Sequence, residues 1–324
     1  MSAPDSDLTE IERIWRESSE RSRERRAHGP VRSGRRPRLL AGCAGLAFAA
    51  AALGLSGQER QTRVGVVTAP AVVAAAGPTV GTGRVAGVRA ESPPPATPSR
   101  AALRRARAYA RRAGGLVSFA VVDSEGRLRG RARNRRFVSA SVVKAMLLAG
   151  ELRRLRGVGA PIDPATDETL RAMVTESDND AADAVYWRVG DEGLHEVAKS
   201  ARMKRFAVDG YWANAMVTAA DMARFFSRLG SAVPKPHRRY ARRLLASITP
   251  SQRWGIVDAA GRRWTVRFKG GWRQTGLGSL VHQAAELRHG DVQLSIAVLT
   301  DAQPSQERGI EIVRGVAARL LARG

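Results

Sequence analysis

Polar and charged positions dominate residues 1–38, and the pattern breaks at Leu39–Leu55, "LLAGCAGLAFAAAALGL", which carries no charge. Residues 57–100 are rich in Ala, Val, Gly, Pro and Thr and hold no helical or strand period for long, which reads as a flexible linker. Regular patterning begins at about residue 101. "RAALRRARAYARRA" has a helical period, and "GLVSFAVVDSEGRLRGRARN" reads as a β-hairpin turning at Asp-Ser-Glu-Gly. Helical stretches continue to about residue 247. Three strand-like runs follow, "RRWTVRFKGG", "GSLVHQAAEL" and "DVQLSIAVLTD". The chain closes on "SQERGIEIVRGVAARLLARG", a helix with Ile310, Ile312, Val313, Val316 and Leu320 toward one side. The order hairpin, helical block, three strands, helix predicts an α/β (α+β) domain over residues 101–324. Its five-stranded antiparallel sheet is built from both ends of the domain, flanked by helices, and interrupted by an inserted all-helical subdomain.

The uncharged segment at residues 39–56 is about seventeen residues at its core, short for a membrane span but long enough for a signal anchor or signal peptide. Arg32, Arg35, Arg36 and Arg38 crowd its N-terminal side, which predicts a cytoplasmic tail over residues 1–38 and an extracytoplasmic remainder. "SGRRPRLL" resembles a twin-arginine export signal, and "VAAAG" at Val73–Gly77 is a candidate cleavage site. "LAGC" at Leu40–Cys43 resembles a lipoprotein box, but the apolar run lies after the cysteine rather than before it.

Composition changes this picture little. The net charge of +24 raises the question of nucleic acid or another polyanion. However, no basic run is interleaved with aromatics, which make up only 5% of the chain, so a base-stacking platform is absent from the sequence. Arginine-filled solvated faces account for the charge without a nucleic-acid partner. The single cysteine, Cys43, excludes an intramolecular disulfide and a zinc finger, and no metal or cofactor motif is found.

The chemistry starts from a choice between two cations. Only five lysines (Lys144, Lys199, Lys204, Lys235 and Lys269) stand among 54 basic residues. Lys144 lies three residues after Ser141 in "FVSASVVKAMLLAGEL", at the head of an apolar helix pattern. At i, i+3 the two side chains share a helix face. A serine hydroxyl is a poor nucleophile until a neighbouring base takes its proton. A desolvated lysine can be that base, and an arginine cannot. Ser177-Asp178-Asn179 follows in "MVTESDNDAADAVYWRVG", at a helix entry where all three residue types also serve as N-caps. Lys269-Gly270-Gly271 ends a strand, where glycines permit close backbone approach by a ligand or mark a bulge.

Each motif alone is weak. In this order, the three resemble the Ser-x-x-Lys, Ser-Asp-Asn and Lys-Thr-Gly set of class A β-lactamases and penicillin-binding proteins. The resemblance covers roughly residues 101–324, and "VTAADMARFFSRL" at Val217–Leu229 looks like the helix after that family's omega loop. It implies that Ser141 is the acylated nucleophile, Lys144 the general base and Ser177 a proton relay to the leaving nitrogen. It places Asn179 on the substrate amide and Gly270, Gly271 and Trp272 along the substrate, and has Lys269 supply positive charge for the substrate carboxylate and help hold Lys144 neutral. The backbone N–H groups of Ser141 and Trp272 form the implied oxyanion hole.

Two departures stand out. Lys-Gly-Gly lacks the hydroxyl that contacts the substrate carboxylate in the family, leaving Arg273 and Thr275 as candidates to compensate. The segment expected to be the omega loop, "FAVDGYWANAMVT", holds Asp209 and Asn214 but no glutamate, and Glu192 and Glu196 fall in a helix before it. The reading is an extracytoplasmic, monomeric serine hydrolase without cofactor, acting on a β-lactam, cell-wall peptide or ester, with slow deacylation. The alternative is a non-catalytic peptidoglycan- or β-lactam-binding module on the same fold.

Overall fold

The computed structural model describes residues 97–322. The charged tail, the apolar segment 39–56 and nearly all of the linker lie outside the described residues. Among the described residues no helix is long and apolar enough to cross a membrane.

Ser99 caps the first helix, α1 (Arg100–Arg112), by accepting a 3.0 Å hydrogen bond from Ala102 N. Its Ala102, Leu103, Ala106 and Ala110 are buried, Arg104 and Arg105 face outward, and the half-buried Arg107 donates to Gly130 O at 3.1 Å. The hairpin follows as β1 (Leu116–Val122) and β2 (Leu128–Arg131). At the far end of the chain come β5 (Thr265–Thr275), β6 (Gly278–His289), β7 (Val292–Gln303) and the last helix, α9 (Gln306–Leu321). The sheet order is β2-β1-β7-β6-β5, all antiparallel, so both ends of the domain meet at the β1–β7 pair.

Every residue of β1 is buried, because both sheet faces are covered. Side chains alternate between the faces with the two-residue period of a strand. Val117, Phe119 and Val121 of β1 join Ile296 and Val298 of β7 in one core with α1 and α9. Ala120 and Val122, with Ala297 and Leu299, join the second core beneath the helical subdomain. On α9, Ile312, Val313, Val316 and Leu320 are buried as expected, while Ile310 is only partly covered.

The inserted block is helical: α2 (Lys144–Gly157), α3 (Pro164–Arg171), α4 (Asn179–Ser200), α5 (Ala219–Ser227), α6 (Leu229–Ala232) and α7 (Arg238–Ala246). A short α8 (Ile256–Ala260) leads back to the sheet. Residues Lys144 to Leu152 of α2 are all buried, so it is the central helix of the block rather than an amphipathic surface helix. Its buried Glu151 accepts from Arg154 and, at 2.8 Å, from Arg188 of α4. Burial pushes this carboxyl up, and the two guanidinium partners outweigh that and hold it below the usual range.

The sequence pattern does not announce a second sheet of two three-residue strands, β3 (Arg136–Val138) and β4 (Met216–Thr218). It pairs Phe137 with Val217, and Ser139 N donates to Ala215 O at 2.7 Å. These bonds clamp the residues just before Ser141 onto the segment that precedes β4.

Candidate active site

The Ser141 turn is a 3₁₀ helix, Ala140–Val143, that runs into α2 at Lys144. Ala140 sits at φ 44°, a left-handed conformation that alanine adopts at a cost. From below, the fully buried His282 of β6 holds Val138 O through Nε2 at 3.0 Å and accepts from Thr300 N at Nδ1. That pattern places the ring proton on Nε2. Burial pushes this imidazole down to about 4, so it is neutral in the folded protein.

The second loop forms where α3 passes into a π-helical turn, Ala172–Glu176, that ends at Ser177 in a left-handed conformation with φ 65°. Asp178 then caps α4, accepting from Ala181 N at 2.7 Å. Capping and chemistry divide the tripeptide between them: Asp178 serves the helix, while Ser177 and Asn179 face Lys144. The Lys144 ammonium donates to Asn179 Oδ1 at 2.7 Å, to Asp178 O at 3.0 Å, to Ser177 O, and more distantly to Ser177 Oγ at 3.5 Å. Its Nζ also lies 4.8 Å from the centre of the Trp212 ring. Burial pushes Lys144 down to about 8, against the opposing pull of Asp178 and Asp183. Among the described residues no hydrogen bond joins Lys144 Nζ to Ser141 Oγ. The lysine is turned toward the Ser177 loop.

Lys269 reaches the same loop from the sheet. It is fully buried and donates to Ser177 Oγ at 3.0 Å and to Gly270 O at 3.1 Å. Burial, with the neighbouring Lys144 charge, pushes it well below the usual lysine range. It therefore serves as a hydrogen-bonding partner of Ser177 rather than an open cation in the cleft.

The two glycines after Lys269 make room for protein, not only for a ligand. A Cβ on Gly271 would stand 2.8 Å from Ser141 N and 2.7 Å from Val142 N, so only glycine lets edge strand β5 lie against the nucleophile turn. A Cβ on Gly270 would meet the Trp254 indole at 3.2 and 3.3 Å. Trp254 in turn packs edge-to-face on Trp272, with ring centres 6.0 Å apart. A side chain at position 270 would therefore need the indole to give by a few tenths of an ångström. Of the two residues that could compensate, Thr275 has its Oγ1 bound to Asp301 Oδ1 at 2.9 Å and Gly278 O at 3.0 Å, and Arg273 donates through Nη1 to Asn214 Oδ1 at 3.1 Å.

Residues 155–323, more than half of the chain, match the family described as the beta-lactamase enzyme family. The chain belongs to that family. No curated protein matches its sequence. Among solved structures, the beta-lactamase of Sphaerobacter thermophilus superposes with a TM-score of 0.59 at 19% identity, covering 67% of this chain and 94% of that one. A beta-lactamase from Burkholderia vietnamiensis gives 0.59 at 21% identity, with 69% and 96% covered. An ancestral class A beta-lactamase gives 0.57 at 22% identity, with 67% and 98% covered. The fold is thus that of class A beta-lactamases, five-stranded sheet and inserted helices included. The family match starts after Lys144, so the Ser141–Lys144 pair rests on the geometry above.

The segment before β4, residues 206–215, holds no glutamate. Glu192 and Glu196 are exposed on α4, and Glu196 pairs with Lys199 at 3.8 Å, away from Lys144. The cleft side of the segment is aromatic instead. Trp212 is buried, anchored by Nε1 donating to Asp183 Oδ1 at 2.6 Å, while its carbonyl accepts from Ser139 Oγ at 3.1 Å. Sequence reasoning missed Trp212 and Trp254. The signal available was two indoles close to the motifs in a chain with six tryptophans.

Proposed function

We propose that the protein is an extracytoplasmic active-site-serine hydrolase that forms an acyl-enzyme on Ser141. The observation that carries this reading is the convergence of Lys144, Lys269 and Asn179 on one small loop at Ser177, with β5 laid against the Ser141 turn. In the proposed cycle, neutral Lys144 releases the Ser177 loop and accepts the Ser141 hydroxyl proton as Oγ attacks the substrate carbonyl carbon. The N–H groups of Ser141 and Trp272 hold the developing oxyanion. Collapse breaks the acyl carbon–nitrogen or carbon–oxygen bond. The leaving group takes a proton through the Ser177 hydroxyl, which is replenished from the ammonium of Lys144. Water then attacks the ester and regenerates Ser141.

The last step is proposed to be slow. The segment Phe206–Thr218 brings Trp212 to Lys144 and ties Asn214 to Arg273, and it offers no glutamate to activate water. β-Lactams, cell-wall peptides and esters are the candidate substrates, and the uncharged segment 39–56 would tether the domain outside the cytoplasmic membrane. A second reading, a β-lactam- or peptidoglycan-binding module without turnover, is favoured by the engagement of Lys144 with the Ser177 loop rather than with Ser141.

A fluorescent penicillin and a fluorescent ester, followed by peptide mapping, test the proposal. An adduct on Ser141 that disappears in Ser141→Ala and is released over minutes to hours supports the hydrolase. A permanent adduct supports the binding module. No adduct with any acyl donor, or rapid catalytic turnover of nitrocefin, would remove the respective claim.

A further inference from the structure

A second cleft, of about 660 Å³, opens at the end of the sheet formed by the β1–β2 and β6–β7 turns, against the C-terminal end of α5 and the side of α7. It is separate from the Ser141 site. Gly271, which touches the Ser141 turn, pairs with His282, whereas the cleft is lined by Glu286 and Arg288, four and six residues further along β6. At ~3.3 Å per strand residue that is roughly 13–20 Å away.

The lining is cationic. Arg202, Lys204, Arg224, Arg228, Arg242 and Arg288 all contribute. Of these, Arg224 is paired with Asp221 and Arg288 with Glu286. Among the described residues Arg202, Lys204, Arg228 and Arg242 have no carboxylate partner. Two of the three lining carboxylates are already satisfied by cations outside the cleft: Asp123 by Arg127 and Arg129, and Glu286 by Arg267. Only the exposed Asp291 offsets the four. The Nε of Arg242 is buried and has no hydrogen-bond partner among the described residues.

The fold holds the backbone around the cleft and the Arg224 guanidinium. The fully buried Asp221 accepts from Lys204 N at 2.7 Å, Arg205 N at 2.9 Å and Arg224 Nη1 at 3.0 Å, which fixes the strap carrying Arg202 and Lys204 against α5. Gln293 Nε2 donates to Ser227 O at 3.0 Å and ties the sheet end to the same helix. Repelling cations gathered in a concave, rigid site are stabilised when an anion fills it, and guanidinium forks match phosphate oxygens. The volume lies within the range of small-ligand sites, ~300–1,000 Å³.

We propose that this cleft binds a phosphate-bearing anion of more than one negative charge, supplied either by a soluble oligophosphate or by an anionic lipid headgroup. The test uses the full-length chain and two probes: sodium tripolyphosphate by titration calorimetry, and sedimentation with vesicles of one part phosphatidylglycerol to four parts phosphatidylcholine. Arg228→Gln/Arg242→Gln removes two of the four unpaired cleft cations. Arg104→Gln/Arg105→Gln removes as much charge from the exposed face of α1. The cleft variant is expected to lose about tenfold in affinity for at least one probe, while the α1 variant stays within about twofold of wild type. Cleft-dependent calorimetry identifies a soluble ligand, and cleft-dependent sedimentation alone identifies a headgroup. Equal weakening by the two variants, or wild-type binding by the cleft variant, overturns the proposal. Should the cleft variant melt early without ligand, the rim variant Arg202→Gln/Lys204→Gln gives the same reading from exposed side chains.

Discussion

Lys144 and Lys269 converge on one oxygen: the hydroxyl of Ser177 lies 3.5 Å from the first ammonium nitrogen and 3.0 Å from the second. Burial pushes both amines down, and at Lys269 the neighbouring Lys144 charge adds to this. The consequence is a lysine at Lys144 that sheds its proton near neutral pH, where an arginine would stay charged.

The rate of Ser141 acylation is therefore expected to rise with pH through an apparent pKa near 8, set by Lys144. At pH 7 roughly a tenth of Lys144 is then neutral. Lys269→Gln is expected to leave the limb in place, because burial sets it and the neighbouring amine is already held well below the usual lysine range. Lys144→Arg is expected to lower acylation by about 10³-fold or more at every pH, with the fold intact by circular dichroism. A limb that moves to higher pH in Lys269→Gln would show that charge on Lys269, rather than burial, sets the Lys144 value.

Gly271 and Gly270 are expected to respond unequally to alanine. At Gly271 the new Cβ meets backbone nitrogens of the nucleophile turn, which cannot rotate away. We expect about 1–3 kcal/mol of destabilisation and a large loss of acylation. At Gly270 it meets the edge of a rotatable indole, and the loss is expected to stay below about 1.5 kcal/mol. Urea titration and penicillin labelling of both variants check the order.

His282 predicts acid sensitivity of the fold. Its imidazole titrates at about 4 when folded, against 6.5 as its ordinary value. Between those values the unfolded chain binds the extra proton, so stability is full above about pH 6.5 and falls as pH drops toward 4. The loss amounts to at most about 3 kcal/mol. Urea unfolding of wild type and His282→Phe across this window measures it. The histidine-dependent part of the slope should vanish in the variant.

Glu151 is expected to be required for stability rather than for chemistry. Glu151→Ala breaks a buried cluster and leaves Arg154 and Arg188 without their carboxylate. The expected loss is about 3 kcal/mol, read by denaturant, with the Ser141 adduct still formed in the folded fraction.

The sequence by itself determined the sheet and the order of the motifs. Val117, Phe119 and Val121 alternate with Ala120 and Val122 because each strand has two faces and both are buried, and that period is local. The Ser141–Lys144 spacing and the Ser177–Asn179 helix entry were legible for the same reason: caps and i, i+3 neighbours are set within a few residues. Only the tertiary structure decided which way Lys144 points. Its acceptors are Ser177, Asp178 and Asn179, delivered by a π-helical turn on another helix, and no local pattern encodes that distance. The use of the two glycines was decided there too, since a turn and an indole far away in the chain press on them. So was the cationic cleft, whose arginines come from four separate segments and become neighbours only when the sheet end closes on α5 and α7. Contacts between distant segments depend on packing, whereas period and spacing are written along the chain.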